Sequence, residues 1–195
     1  MVLKNPTEYE KGKTIVYFVR HGDRLHIPNK KDIGLKYPGP GLSKLGKKQA
    51  KNLAKEFLKK KREIDILYCS GMTRAIETAQ EIGKIIKKKP KICKELSEFN
   101  AILWYGKIYH KKFWKHYKKY IEAKRAFNKI LEKNKGKVVV IVAHGNIIRG
   151  LFGHKFGLSF KKRGAFDSNN CHISKLRFKG KNLNWIYYLN STGVI

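Results

Sequence analysis

Two short runs, "TIVYFV" at 14–19 and "VVVIVA" at 138–143, constrain this chain more than anything else in it. Both are rich in β-branched and aromatic residues, and neither alternates apolar with polar. A strand with one wet face alternates, so an unbroken apolar run of this length reads as a central strand covered on both faces. That is the arrangement of a parallel sheet between helical layers. Both runs also stop in the same way: Arg20-His21-Gly22 follows the first and His144-Gly145-Asn146 the second. In open α/β sheets ligands sit beyond the carboxyl ends of the strands. Both histidines therefore fall where a site belongs if the strands are parallel neighbours, and a glycine after each lets backbone approach a ligand closely.

The intervening pattern fits the same architecture. From Ser43, a suitable N-cap, the residues Leu45, Ala50, Leu53, Ala54, Phe57 and Leu58 recur at helical spacing and predict a helix ending near Lys61. "DILY" at 65–68 predicts a second strand ending in Cys69-Ser70-Gly71, and Met72, Ala75, Ile76, Ala79, Ile82 and Ile86 mark a second helix. After Pro90 a weak strand "KIC" leads into "KELSEFNAILWYG", an irregular flap, and a third helix is expected from about Phe113 to Leu131. Two last strands, "CHISKLRF" and "NWIYYL", flank a Gly-containing turn that suits a hairpin. Strand, loop and helix in repetition predict an α/β protein, a three-layer α/β/α sandwich with a mostly parallel central sheet. Residues 1–195 read as a single domain with a lid or cap segment around 100–135.

Composition narrows the function classes. At 195 residues and 42% hydrophobic, the chain can bury a sizeable core. Cys69, Cys93 and Cys171 include no C-x-x-C pair, so neither a disulfide framework nor a zinc site is expected, and reduced thiols point to a cytoplasmic setting. The first residues lack an apolar signal core, and "VVVIVA" is too short to span a bilayer, so no membrane partner is expected. Lys and Arg number 45 against 14 Asp and Glu, a net charge of +31 that attracts polyanions. Lysine is spread through every predicted helix. The reading is a solvated basic surface, with nonspecific polyanion binding as the alternative.

A third strand end delivers "CSGMTRA", which puts Arg74 in the first turn of a helix, near an N-terminus that favours anions. Arg20, His21, Arg74 and His144 then converge, and such a cluster repels itself unless a dianion fills it. A phosphoryl group fits. Arginine forks bind its oxygens in bidentate fashion, and a neutral imidazole, oriented through its other nitrogen, is a nucleophile. One such histidine alone is ordinarily a packed or surface residue. Two at strand ends before glycine favour the functional reading.

The chain resembles the histidine phosphatase superfamily, in the branch of phosphoglycerate mutases and small broad-specificity phosphatases. The resemblance rests on "RHG" at 20–22, "GLSKLGKKQA" at 41–50, "LYCSGMTRAIETA" at 67–79, "ELSEF" at 95–99 and "VVVIVAHGNIIRGL" at 138–151, in that order. It implies that His21 attacks phosphorus and that Arg20, Arg74 and His144 hold the phosphoryl oxygens, with Gly145 beside them. It implies Glu98 as the group that protonates the leaving oxygen and then activates water, with Glu95 and Asp23 as rival acids. It implies no cofactor and no metal.

The departures from the family lie at Asp23-Arg24, where many relatives carry Glu or Gln and then Thr or Ser. An arginine there resembles the more distant acid phosphatases. Arg24 is open between binding phosphate and facing solvent. Asn146 stands where those acid phosphatases place an aspartic acid, and Asn170 is open between a turn residue and the pocket mouth. The aromatics Trp104, Tyr105, Tyr109, Phe113 and Trp114 read as core packing, with a pocket wall for a bulky substrate as the alternative. The expected activity is hydrolysis of a phosphorylated small molecule, since the chain is short for a mutase that closes over its intermediate; a cofactor-dependent phosphoglycerate mutase is the alternative, and a polyanion-binding protein a third reading.

Overall fold

The computed structural model describes residues 12–27, 38–99, 113–159, 162–163 and 166–193. Six strands form one sheet: β1 (Lys13–Arg20), β2 (Ile66–Ser70), β3 (Lys91–Cys93), β4 (Val138–Ala143), β5 (Ile173–Lys179) and β6 (Asn182–Ser191). Their order across the sheet is β3-β2-β4-β1-β5-β6. The first four in that order are parallel, β5 runs antiparallel to β1, and β6 antiparallel to β5. The helices are α1 (Lys44–Glu56), α2 (Thr73–Ile86), α3 (Phe113–Lys133) and α4 (Gly145–Lys155).

The unbroken apolar runs have the expected cause. Alternate residues of β1 and β4 enter two different cores. Ile15, Tyr17, Val19, Val138, Val140 and Val142 pack under α1 and α2. Val16, Phe18, Val139, Ile141 and Ala143 pack under α3 and α4. The three-layer sandwich with its mostly parallel sheet is therefore present.

Several boundaries differ from expectation. Helix α1 ends at Glu56, after which Leu58, Lys60 and Glu63 donate to carbonyls three residues back. This tighter winding keeps Phe57 in the core and turns Leu58 out to 52% exposure; Leu45, at 57%, also faces solvent. Strand β5 starts at Ile173 rather than Cys171; Cys171 sits at φ +57, in the left-handed region that breaks extended pairing at this point. Helix α3, the second half of the expected cap at 100–135, carries Phe113, Tyr120, Phe127, Ile130 and Leu131 into the core beneath the sheet. Trp114 is 63% exposed, so it is not core packing. Residues 100–112, with Trp104, Tyr105 and Tyr109, lie outside the described residues. No helix among the described residues is long and apolar enough to cross a membrane.

Candidate active site

Register puts the reactive groups together. Strands β1 and β4 are paired up to Arg20 and Ala143, so His21 and His144 leave adjacent strand ends side by side, with ring centroids 4.9 Å apart. Strand β2 lies on the other side of β4 and ends at Ser70, from which α2 begins and presents Arg74. Both histidines and Arg74 are buried, at 4%, 0% and 2% exposure.

His21 is held in one tautomer. Its Nδ1 lies 2.6 Å from the Gly22 carbonyl oxygen, which can only accept, so Nδ1 carries the proton. Nε2 is left with its lone pair, and Arg74 Nε donates to it at 3.0 Å. Burial holds the imidazole well below its usual range of protonation, and Arg74 adds to this, as do Arg20 and Arg24, against the Gly22 bond. The result is a neutral, oriented imidazole with a usable nitrogen.

Two more buried nitrogens, from Arg20 and His144, stand at the same strand ends. Arg20 is anchored through Nη1 to the Ser168 carbonyl, while its Nε is buried with no protein partner among the described residues. Burial lowers its pKa, against the nearby charge of Glu98. Gly145, the first residue of α4, lies against the Arg20 guanidinium: a Cβ there would sit 3.6 Å from Cζ. His144 Nε2 is 2.6 Å from Ser70 Oγ, and its Nδ1 is buried with no protein partner among the described residues. Burial holds this ring neutral too, reinforced by His21 and Arg74. Buried polar nitrogens without partners are uncommon in folded proteins, and at a strand-end site they fit an anion.

Glu98 is the carboxyl the geometry favours. Its Oε1 accepts from Phe99 N at 3.2 Å and its Oε2 from Asn146 N, in the first turn of α4, at 3.4 Å. Asn146 Nδ2 also holds the Phe99 carbonyl at 3.0 Å, so the residue following His144-Gly145 fastens the Glu98 segment to the site. Burial pushes the Glu98 carboxyl up to about 6, although Arg74, the two N–H bonds and Arg20 oppose it. The rivals are engaged elsewhere. Glu95 is exposed and accepts from the Cys93 thiol. Asp23 accepts from Ser43 Oγ, which in turn caps α1 through Gly46 N.

The remaining expectations divide. Arg24 pairs through its backbone with Leu42 and is half-buried; its charge lowers the pKa values of both His21 and Arg74. Asn170 is more than a turn residue, since its Nδ2 donates to the His21 carbonyl at 2.7 Å. Gly22 has a different role from the one expected. Its N–H is taken by Thr78 Oγ1 at 3.1 Å, and its close approach is to α1, where a Cβ would come within 2.6 Å of the Gly46 carbonyl oxygen. No local sequence pattern marks Ser70, Thr78 or Ser168, because each meets its partner from a neighbouring element. Among the described residues no group of three His, Cys, Asp or Glu side chains is placed to hold a metal ion.

A family model for the histidine phosphatase superfamily (branch 1) matches residues 16–191. The chain is 25% identical over 198 residues to Phosphoserine phosphatase 1 of Hydrogenobacter thermophilus, covering 89% of this chain and 90% of that protein. Among solved structures, a phosphoserine phosphatase from Entamoeba histolytica in complex with 3-phosphoglyceric acid superposes with a TM-score of 0.69 at 22% identity, covering 92% of this chain and 98% of that one. Bacillus stearothermophilus YhfR gives 0.72 at 18% identity, with 92% and 98% covered.

Proposed function

The chain belongs to the histidine phosphatase superfamily, branch 1, and is a phosphatase; from that premise we propose that it hydrolyses phosphate monoesters of small molecules through a phosphohistidine at His21. The observation that carries this reading is the fixed tautomer: the Gly22 carbonyl holds the proton on Nδ1 and leaves the Nε2 lone pair facing the Arg74 guanidinium.

When a phosphoryl group enters, the Arg74 guanidinium exchanges its bond to Nε2 for phosphoryl oxygens, joined by Arg20 Nε and His144 Nδ1. Nε2 attacks phosphorus, the ester P–O bond breaks, and its electron pair goes to the leaving oxygen. Glu98 gives that oxygen its proton. A carboxyl raised to about 6 is protonated in a useful fraction near neutrality, as general acid catalysis requires. The ionised Glu98 then takes a proton from water, whose oxygen attacks phosphorus, and the N–P bond breaks with its electrons returning to Nε2. Gly145 lines the phosphoryl pocket, and Arg24 supplies a further charge beside it.

Phosphoserine heads the substrate panel because two of the similar proteins named above are phosphoserine phosphatases. The test measures inorganic phosphate released from phosphoserine, 3-phosphoglycerate and a chromogenic ester, and traps the enzyme after brief mixing with radiolabelled ester. The expected result is phosphate release with an acid-labile, base-stable label on the protein, both reduced to background in His21→Ala. Label retained by that variant, or transfer of phosphate within 3-phosphoglycerate without release, overturns the reading.

A further inference from the structure

The second histidine raises a question that burial alone does not answer. His144 is neutral and has one N–H to place, and among the described residues only one of its two nitrogens meets a protein partner. That partner, Ser70, is the last residue of β2. The β2–β4 pairing ends at Cys69 and Val142, so Ser70 and His144 leave neighbouring strand ends with both side chains fully buried.

Ser70 has one hydrogen to give and two lone pairs. Its oxygen accepts from Met72 N at 3.3 Å and lies 2.6 Å from His144 Nε2. Suppose Nε2 carried the proton. Ser70 would then accept twice, its own hydroxyl hydrogen would have no acceptor among the described residues, and Nδ1 would turn a lone pair toward the cation-lined pocket. Suppose instead that the hydroxyl donates to Nε2. Ser70 then accepts once and donates once, Nε2 accepts, and Nδ1–H is left as a donor. Only the second arrangement satisfies every group that has a partner in reach, and an unmet buried hydroxyl costs roughly 1–3 kcal/mol.

We propose that Ser70 is a positioning residue that holds His144 as its Nδ1–H tautomer and thereby makes this histidine a neutral hydrogen-bond donor to the phosphoryl group. The part concerning the phosphoryl group rests on the function proposed above; the tautomer does not. The two histidines then share a tautomer set from opposite directions. A carbonyl oxygen receives Nδ1–H of His21 and frees Nε2 as nucleophile, whereas a hydroxyl donates to Nε2 of His144 and frees Nδ1–H as donor. Neither ring needs to be cationic beside Arg20 and Arg74.

The test is nitrogen-15 NMR of histidine-labelled resting protein, with His144 assigned by comparison with His144→Gln. The expected spectrum has Nδ1 of His144 protonated and Nε2 bare, and the Nδ1–H resonance shifts when inorganic phosphate is added. In Ser70→Ala the tautomer signature becomes mixed or reversed, and kcat falls by about ten- to a hundredfold, approaching the loss of one oxyanion donor. Ser70→Thr, which keeps the hydroxyl, restores the wild-type signature. A proton on Nε2 in the wild type, or an unaltered signature and kcat in folded Ser70→Ala, overturns the proposal whatever the reaction proves to be. Correct tautomers with no response to phosphate overturn the donor role alone.

Discussion

Glu98 shows how a single side chain is placed at odds with its own stability. Its carboxyl titrates near 6 in the folded protein because burial outweighs two arginines and two backbone N–H groups. Below the unfolded value of 4.5 both states are protonated and the residue is neutral to stability. Above about 6 both are ionised, and the folded state carries the penalty of a shift worth about 2 kcal/mol. Glu98→Gln is therefore expected to raise the melting temperature at pH 7 and leave it nearly unchanged at pH 4, while lowering turnover of an alkyl phosphate by about 10²- to 10⁴-fold. Melting curves at the two pH values, with phosphate release at each, check both halves. A uniform stability change at all pH values would sink the assignment of the shift to this carboxyl.

At the scale of elements, the junction of β1 with α1 sets the position of His21, the proposed nucleophile. The loop leaving β1 crosses α1 at a glycine on each side. A Cβ on Gly46 would come within 1.9 Å of the Asp23 carbonyl oxygen, and one on Gly22 within 2.6 Å of the Gly46 carbonyl oxygen. Both obstacles are backbone, so neither can swing aside. Gly46→Ala, ordinarily favourable inside a helix, is here expected to destabilise by roughly 1–3 kcal/mol or more. It should also lower kcat, because Asp23 and Ser43 tie that same loop to the helix cap. Chemical denaturation and phosphate release read these effects, and an alanine as stable as the parent would refute the contact.

This junction also marks how far sequence reasoning reaches. The strands, the two-faced burial of β1 and β4, and the histidine and arginine at their ends follow from local pattern, because apolar periodicity and strand polarity are local properties. That Gly22 spends its missing side chain on α1 rather than on a ligand, or that Ser70 ends opposite His144, depends on which elements are neighbours. The order β3-β2-β4-β1 appears in no window of residues. Leu45 and Leu58 fit the helical spacing yet face solvent, since periodicity identifies a stripe but not where the covering layer stops.

For the molecule as a whole, a net charge of +31 surrounds the phosphoryl site proposed for Arg20, Arg24 and Arg74. The local arginines bind at contact range, whereas the wider charge acts only as far as salt allows, about 30 Å at 0.01 M and about 3 Å at 1 M. Steering raises encounter rates by tenfold or more when the field is unscreened. For a highly charged ester, kcat/KM is therefore expected to fall about tenfold from 0.01 M to 1 M salt, while kcat, set by the buried groups, stays nearly constant. Exposed Lys87, Lys88, Lys89 and Lys135 lie in segments leading into the amino ends of β3 and β4, away from the strand ends that carry the site. Changing these four to Gln should lower kcat/KM at 0.01 M salt and leave it equal to the parent's at 1 M, where the screening length no longer spans the sheet. If the two proteins differ equally at both salt concentrations, the lysines act through structure; if they never differ, the arginines at the site account for the whole attraction.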